Sequence, residues 1–176
     1  MMTANLTIRD LRPEESEALG RLMVDVYSTL EGFPSPAEQP GYYRMLADIG
    51  SFARKKDARV LVAEAGAGGL AGGIVYFGDM AAYGSGGIAT SLQDTSGIRL
   101  LAIDPRFRGL GAGKALANAC IALARARGHG QVVLHTTQAM QVAWQLYVKL
   151  GFCRSEDLDF MQERLQVFGF RLRLRA

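Results

Sequence analysis

Hydrophobic positions along the chain switch repeatedly between a short, strand-like period and a longer, helical one. Apolar or alternating runs predict strands at 6–9, 60–64, 71–77, 98–103, 132–135, from 152 onward and at 166–174. Apolar residues three and four positions apart predict helical faces over 18–30, 42–52, 112–127 and 139–150. This order of elements predicts an α/β (α+β mixed) fold, in which a mixed sheet carries helices on both faces.

One stretch, 79–96, follows neither period. It is rich in Gly and Ser and lies between two predicted strands. We interpret it as a long irregular connection. Such connections within a compact domain are often functional, and disorder explains the same composition equally well.

The predicted strand at 98–103 leads into a glycine-rich turn that opens a helix. Asp104-Pro105 ends the strand, because proline cannot donate to a ladder, and three glycines follow at alternate positions: Gly109, Gly111 and Gly113. The first N–H groups of a helix lack internal partners and carry the positive end of its dipole. Glycines let an anion approach this backbone, and Arg108 and Lys114 add positive charge. The turn therefore predicts a phosphate or pyrophosphate site.

Two common phosphate-binding motifs do not fit this turn. A P-loop needs a glycine where Arg108 stands and a Ser or Thr where Ala115 stands. A dinucleotide fingerprint needs a glycine at Lys114 or, in its other register, at Leu116. The pattern that does fit is Arg-x-x-Gly-x-Gly over 108–113, directly after a strand ending in Ala-Ile-Asp-Pro.

This turn resembles the signature loop of the GNAT-type N-acetyltransferases, Gln/Arg-x-x-Gly-x-Gly/Ala. A second stretch, 143–152, reads Ala-Trp-Gln-Leu-Tyr-Val-Lys-Leu-Gly-Phe and is similar to the family's other signature, Ala-x-x-Leu-Tyr-x-x-x-Gly-Phe. Two signatures in this order are much more specific than either alone. The resemblance spans nearly the whole chain. It implies a single domain over 1–176 with the GNAT fold, whose central sheet is twisted, mostly antiparallel and built of six to seven strands.

The resemblance also implies site residues, with acetyl-CoA as the co-substrate. The pyrophosphate would bind the turn and the first residues of its helix: Arg108, Gly109, Leu110, Gly111, Ala112, Gly113 and Lys114. The pantetheine arm would pair with the backbone of Leu101, Ala102 and Ile103, where an N–H could face the thioester oxygen. Tyr147 is the expected catalytic residue, because a hydroxyl beside the sulfur can protonate the leaving thiolate. The alternative is an ordinary core tyrosine.

The chain departs from the family pattern in two places. Met140 stands where many relatives carry Asn, and methionine cannot hold the neighbouring strand by hydrogen bonds. Ser96-Gly97 stands where many carry a Glu that helps deprotonate the amine. The general base is therefore unassigned, with Glu64, Asp94 and chains of water as candidates.

Aromatic residues are frequent on the elements that flank the acceptor side in this family. As a group they predict a partly aromatic acceptor site: Tyr27, Phe33, Tyr42, Tyr43 and Tyr76. Neither His129 nor His135 has a second ligand at metal spacing, and both are interpreted as hydrogen-bonded or solvated side chains. Cys120 and Cys153 form no C-x-x-C pair, so we expect neither a metal nor a disulfide framework.

Net charge and the length of the apolar runs limit which partners and which cellular location we expect. The net charge of +3 suits an anionic ligand, but no basic helix or stacking motif favours nucleic acid. No apolar run approaches the length of a membrane span, and the N-terminus lacks a signal-peptide pattern, so we expect a cytoplasmic protein. The sequence leaves a homodimer open.

The function implied by the resemblance is transfer of the acetyl group of acetyl-CoA to a primary amine of a small or amino-acid-like acceptor. Attack would be direct, because no Cys or Ser lies in a recognisable triad. Two alternatives stay open. One is a non-catalytic acyl-CoA sensor or interaction module on the same fold, because fold does not fix function. The other is a transferase that uses a different acyl-CoA donor.

Overall fold

The described residues of the computed structural model, 5–66 and 68–175, form a mixed sheet with helices on both faces. Its eight strands are β1 Leu6–Asp10, β2 Ala58–Ala65, β3 Leu70–Phe77, β4 Thr95–Ile103, β5 Gln131–Thr136, β6 Cys153–Arg154, β7 Phe160–Gln162 and β8 Leu165–Arg173. The α-helices are α1 Ser16–Ser28, α2 Pro40–Ala47, α3 Ala112–Ala126 and α4 Gln141–Lys149. Among these described residues, no helix is long and apolar enough to cross a membrane.

The sheet is antiparallel except at its centre. Strands follow the order β1-β2-β3-β4-β5-β8-β6, and β7 adds a short hairpin to β8. Only β4 and β5 run parallel, and they pair over just four positions, from Thr95 with Gln131 to Ile98 with Leu134. Beyond Ile98, β4 continues to Ile103 beside β3 alone. One edge of 99–103 therefore has no strand partner among the described residues, which leaves backbone N–H and C=O groups free to bind a ligand.

A β-bulge interrupts β4 at the start of this unpaired edge. Gly73 pairs with Ala102 and Val75 with Arg99, so two β4 residues lie opposite one β3 residue. Leu100 has a φ of 62°, a left-handed conformation that is costly for a bulky side chain. Because the bulge shifts the alternation, Leu100 packs with the α1 and α2 side of the core, whereas Leu101 packs with the α3 side.

Two apolar cores lie on opposite faces of the sheet. One joins α1 and α2 to residues of β2, β3 and β4, with Leu19, Met23 and Leu46 fully buried. The other joins α3 and α4 to the opposite face, with Leu116 and Cys120 at its centre. The predicted mixed, mostly antiparallel sheet with helices on both faces is confirmed.

Several predicted boundaries were wrong. The stretch 79–96 is not wholly irregular: it holds two 3-10 turns, buries Tyr83 completely and already contains the start of β4. The helical face over 42–52 is a short α-helix followed by a 3-10 helix at Ile49–Arg54. The eighth strand, β7, exceeds the predicted six to seven. It forms because Phe160–Gln162 folds back on β8 through a tight turn, and three residues are too short for a period to show.

The close packing of α1 on α2 depends on Gly20. A Cβ at Gly20 would overlap the backbone carbonyl oxygen of Ala47, and a backbone atom cannot move aside as the end of a flexible side chain can. Gly41, in α2, is exposed and would place a Cβ in ordinary contact, 3.6 Å from Arg44. The two glycines therefore offer a matched comparison of the same substitution.

We expect Gly20→Ala to lower the free energy of unfolding by about 1–3 kcal/mol, because overpacking forces α1 and α2 apart. Gly41→Ala should raise it by about 0.4–1 kcal/mol, because it restricts the unfolded chain without a clash. Urea unfolding followed by circular dichroism measures both. Equal effects of the two substitutions would contradict the packing role of Gly20.

Candidate active site

The glycine-rich turn places the first residues of α3 beside the unpaired edge of β4. Gly109 and Gly111 have φ angles of 80° and 83°, and Gly111 is the residue that precedes the first turn of α3. A positive φ at both positions explains these glycines, because other residues adopt it at a cost. Gly113 differs: its φ is not positive, and a Cβ there would be in ordinary contact with Leu146 at 3.4 Å, so neither strain nor packing requires glycine at this position.

The start of α3 carries donors and positive charge without internal partners. Within the described residues, the backbone N–H groups of 109–114 have no hydrogen-bond acceptor, and no side chain caps the helix. Arg108 and Lys114 are exposed and form no ion pair with a described residue. The nearby Asp104 carboxylate forms an ion pair with Arg106, which lowers the pKa of Asp104 and neutralises its charge. The arrangement suits an anion.

A cleft of about 460 Å³ runs from this turn along the unpaired edge of β4. Nine of the ten residues predicted to bind the coenzyme line it: Leu101, Ala102, Ile103, Arg108, Gly109, Gly111, Ala112, Gly113 and Lys114. The tenth, Leu110, does not line the cleft, and 42% of it is exposed because the turn directs it outward. The other wall comes from α1 and from the start of α4.

A second, inner cavity of about 70 Å³ lies on the α1 and α2 side of β4. Arg99 and Leu100 line it from the strand, and Thr136 and Thr137 from the end of β5. The sequence analysis missed Arg99 as a functional candidate. The available signal was a single charge in an otherwise apolar strand, Ile98-Arg99-Leu100-Leu101-Ala102-Ile103.

The cleft and the inner cavity share two lining residues, Tyr27 and Met140. The Tyr27 hydroxyl donates to the backbone carbonyl of Leu101 at 3.2 Å, which fixes its ring at the boundary. Met140 precedes the first turn of α4 and makes no side-chain capping bond. The Met in place of the expected Asn therefore contributes an apolar surface between two cavities and no hydrogen bond to a strand.

Tyr147 lies below this boundary, in the core between α4 and the sheet. It is 5% exposed, and its ring packs edge-on against Phe152 with ring centres 5.7 Å apart. Burial raises the pKa of the Tyr147 hydroxyl well above 10, so the group keeps its proton at neutral pH. The hydroxyl forms no hydrogen bond with a described residue, and Tyr147 does not line the cleft.

Three of the five predicted acceptor-side aromatic residues line the inner cavity: Tyr27, Phe33 and Tyr42. Tyr43 does not, because its hydroxyl turns away to donate to the carbonyl of Pro34. Tyr76 does not either, because β3 directs it to the opposite face of the sheet, where it bonds Ser96. Strand alternation thus decided which of these rings reach the cavity.

His135 lines the inner cavity, but both of its ring nitrogens are engaged. The carbonyl of Leu158 can only accept, so Nε2 carries the proton and donates to it at 2.8 Å. Nδ1 then accepts from the Tyr83 hydroxyl at 2.9 Å. Burial lowers the pKa of His135, which keeps the ring neutral. The interpretation of His135 as a hydrogen-bonded side chain is confirmed.

His129 also fits the interpretation as a hydrogen-bonded side chain. Its Nδ1 is 2.7 Å from the hydroxyl of Ser96, which in turn bonds Tyr76 on the face of the sheet away from the inner cavity. Burial lowers the pKa of His129 as well.

Neither carboxylate suggested as a general base lies near the cavities. Glu64 binds Arg9 at 2.6 Å at the β1 edge of the sheet. Asp94 binds Arg175 at the opposite end of β4 from the cleft. Among the described residues that line the cleft and the inner cavity, none is Asp or Glu. In the same described ranges, no group of three His, Cys, Asp or Glu could hold a metal ion.

Comparison with known proteins identifies relatives of this arrangement. The model of the Acetyltransferase (GNAT) family matches residues 23–152, well over half of the chain. The mycothiol acetyltransferase of Thermobispora bispora is 42% identical over 67 residues, which are 38% of this chain and 22% of that protein. The chain thus matches about a fifth of the length of this curated relative.

Solved structures share the fold at low identity. A GNAT-family acetyltransferase from Staphylococcus aureus superposes with a TM-score of 0.75 at 16% identity, covering 97% of this chain and 100% of that one. The PaiA N-acetyltransferase of Thermoplasma acidophilum, solved in complex with coenzyme A, gives 0.71 at 17% identity, covering 94% and 98%.

The lowered pKa values of His129 and His135 predict that the free energy of unfolding depends on pH. Both have a pKa below 6.5 in the folded chain, so the unfolded chain binds more protons as pH falls below 6.5. The free energy of unfolding should be constant just above pH 6.5 and decrease below it, by about 1.4 kcal/mol for each unit of pKa depression. Urea unfolding at pH 7.5, 6 and 5 measures this.

The variant His135→Gln should lose part of that decrease. Nuclear magnetic resonance titration of both imidazoles provides the direct check. A midpoint for His135 above 6.5 would contradict the neutral ring.

Proposed function

Because the chain belongs to the GNAT family of acetyltransferases, and is thus an acyltransferase, we propose that it transfers the acetyl group of acetyl-CoA to the primary amine of a small acceptor. The observation that carries the proposal is the meeting of two cavities at Tyr27 and Met140. The cleft on one side ends at an anion-binding helix start, as a long anionic donor requires. The inner cavity on the other side is small and lined by polar and aromatic groups.

The donor would be held by features of the chain that are otherwise unpaired. The N–H groups of 109–114 would bind the pyrophosphate, and Arg108 and Lys114 would add charge beside it. The unpaired edge of β4 from Leu101 to Ile103 would pair with the amides of the pantetheine arm. These groups also favour coenzyme A over an uncharged thioester, because only the former carries the anion.

Tyr147 is our proposed catalytic acid. The thioester supplies an activated acetyl group, and the chain must deal with the thiolate that leaves. Burial raises the pKa of the Tyr147 phenol, so the group keeps its proton at neutral pH and can hydrogen-bond the departing thiolate as negative charge develops on sulfur. The hydroxyl has no partner among the described residues, so no competing hydrogen bond has to break. A backbone N–H on the unpaired edge of β4 would stabilise the negative charge on the carbonyl oxygen.

The proton of the attacking amine would leave through water. The described residues that line the two cavities include no carboxylate, and both nitrogens of His135 are occupied. The same observation favours a second candidate function, a non-catalytic acyl-CoA sensor on this fold. Release of free thiol from acetyl-CoA in the presence of a panel of amines separates the two, because a sensor would release none. Propionyl- and succinyl-CoA in the same assay test the choice of donor.

Gly111→Asp should weaken the binding of coenzyme A by roughly 10- to 100-fold, because charge-assisted hydrogen bonds to the helix start are lost and a negative charge is added. Gly128→Asp is the matched control. Gly128 lies just beyond α3, has a φ of 76° and equally open surroundings, so the backbone strain and the charge are the same. Titration calorimetry measures both. Unchanged affinity in a folded Gly111→Asp variant would show that the turn is structural only.

Tyr147→Phe should lower kcat by roughly 10²–10⁴-fold while the KM for acetyl-CoA changes little, because proton donation matters mainly in the transition state. Tyr76→Phe is the control: it removes a buried hydroxyl from the same face of the sheet, but one that bonds Ser96 at the opposite end of β4 from the cleft, and it should leave kcat unchanged. Steady-state kinetics decides. A decrease in kcat of less than about threefold would identify Tyr147 as a core residue.

A further inference from the structure

We propose that the acceptor carries a carboxylate as well as its amine, and that Arg99 binds this carboxylate in the inner cavity. The inference rests on the proposed function, since it names the class of acceptor for the same site. It predicts a compact amino acid as the acceptor. Polyamines, which carry only positive charge, would be excluded.

The Arg99 guanidinium has no carboxylate partner among the described residues. Its Nη1 donates to the backbone carbonyl of Tyr83 at 2.8 Å, and the guanidinium forms no ion pair with a described residue. It is the one charged residue among the described residues that line the inner cavity. An arginine partly removed from water is normally paired with a carboxylate, and its planar fork of donors matches that group bidentately. The bond to Tyr83 leaves the rest of the fork free.

One rival partner within the chain is Asp48, which shares a surface hollow with Arg99. It lies in a shallow hollow on the outer side of Arg99, which Arg44 and Lys55 also line. No oxygen of Asp48 comes within ion-pair distance of Arg99. Arg99 lines the inner cavity as well as this hollow, so its charge reaches both. Inside, it opposes the rise in the pKa of Tyr42, which burial raises to about 12.

Two threonine hydroxyls at the end of β5 also lack partners. Thr136 and Thr137 are 2% and 4% exposed, and neither Oγ1 has a hydrogen-bond partner among the described residues. A buried hydroxyl without a partner is costly, and such groups are rare unless a ligand or water completes them. Both residues contribute to the wall of the inner cavity. Thr136 pairs with Phe168, which packs against Trp144 on the α4 side of the sheet, so the Thr137 hydroxyl is the candidate ligand group of the two. A hydroxyl donor in the same wall as an arginine can complete a site for carboxylate oxygens.

The size and position of the cavity restrict the acceptor further. A volume of about 70 Å³ admits a few water molecules or the head of a compact molecule. The amine must reach the boundary at Tyr27 and Met140 while the carboxylate stays at Arg99. Amine and carboxylate must therefore be close together in the acceptor, as they are in an α-amino acid. The rings of Phe33 and Tyr42 pack against each other in the wall of this cavity, with ring centres 5.6 Å apart.

The first test is binding, which needs no turnover. N-acetylglycine and N-acetylglycinamide are a product pair that differs in the carboxylate alone. With the protein saturated with coenzyme A, calorimetry should give roughly 10- to 100-fold tighter binding for the acid than for the amide, the range expected for hydrogen bonds to a charged group. N-acetylalanine and N-acetylalaninamide repeat the comparison with one more methyl group. Equal affinity within both pairs would overturn the proposal.

Variants of Arg99 test whether this residue causes the preference for the acid over the amide. Arg99→Gln should abolish the preference. Arg99→Lys should keep part of it, because the charge remains but the planar fork of donors is lost. Arg44→Gln is the matched control, since it removes the same charge close by from a residue that does not line the inner cavity. Circular dichroism shows whether each variant folds, and Arg99→Lys decides the matter if Arg99→Gln does not. Retention of the full preference in Arg99→Gln would overturn the proposal, as would its loss in Arg44→Gln.

Thr137→Val separates a ligand-binding hydroxyl from a structural one. Valine has nearly the same shape and removes the unpaired group, so the midpoint of urea unfolding should rise. The affinity for N-acetylglycine should fall several-fold in the same variant. A fall in stability would mean that the hydroxyl has a partner within the protein and would remove this support.

The proposed transfer reaction is judged separately by thiol release. If transfer fails while the preference for acids is intact, the chain has a carboxylate site but is not catalytic.

Discussion

The loss of pairing between β4 and β5 after Ile98 is the constraint on which the rest of the site depends. Four paired positions hold the two strands together at one end, and beyond them the sheet opens. A sheet that remained paired would have satisfied its own backbone groups and left no space for a ligand. The opening creates an edge inside the fold, protected from other chains by α1 and α4, where backbone donors and acceptors are available. The glycine-rich turn then supplies an anion site at the end of that edge.

The β-bulge gives the two faces of β4 different functions. A regular strand would alternate its side chains strictly between the faces. The left-handed conformation at Leu100 breaks this alternation, so Arg99 and Leu100 line the inner cavity while Leu101 lines the cleft. The strain at Leu100 is of the kind that costs about 1–3 kcal/mol and is found where geometry serves a site. The neighbouring core, with Leu19 and Met23 fully buried, offsets that cost.

Local signals in the sequence predicted the strand, the glycine-rich turn and the helix that follows, because each depends on neighbours in the chain. The cleft residues were named from the resemblance to the two signature motifs of the family. Arg99 was missed although it is the single charge in an apolar strand, because its lack of an ion-pair partner among the described residues shows only in the folded chain. Tyr76 was misplaced because the face of β3 that meets the cavity is set by pairing with distant strands. Likewise, Gly20 looks like any helical glycine until Ala47 is packed against it.

The position of Tyr27 and Met140 between the two cavities has a kinetic consequence. Each cavity has its own wall of β4 residues, so donor and acceptor need not pass through the same opening. Neither residue at the boundary can carry an acyl group, because Met140 has no nucleophile and burial keeps Tyr27 protonated. On the proposed function, both substrates must therefore be present together before any product leaves. Double-reciprocal plots would then intersect, and the parallel lines of a ping-pong scheme would be absent.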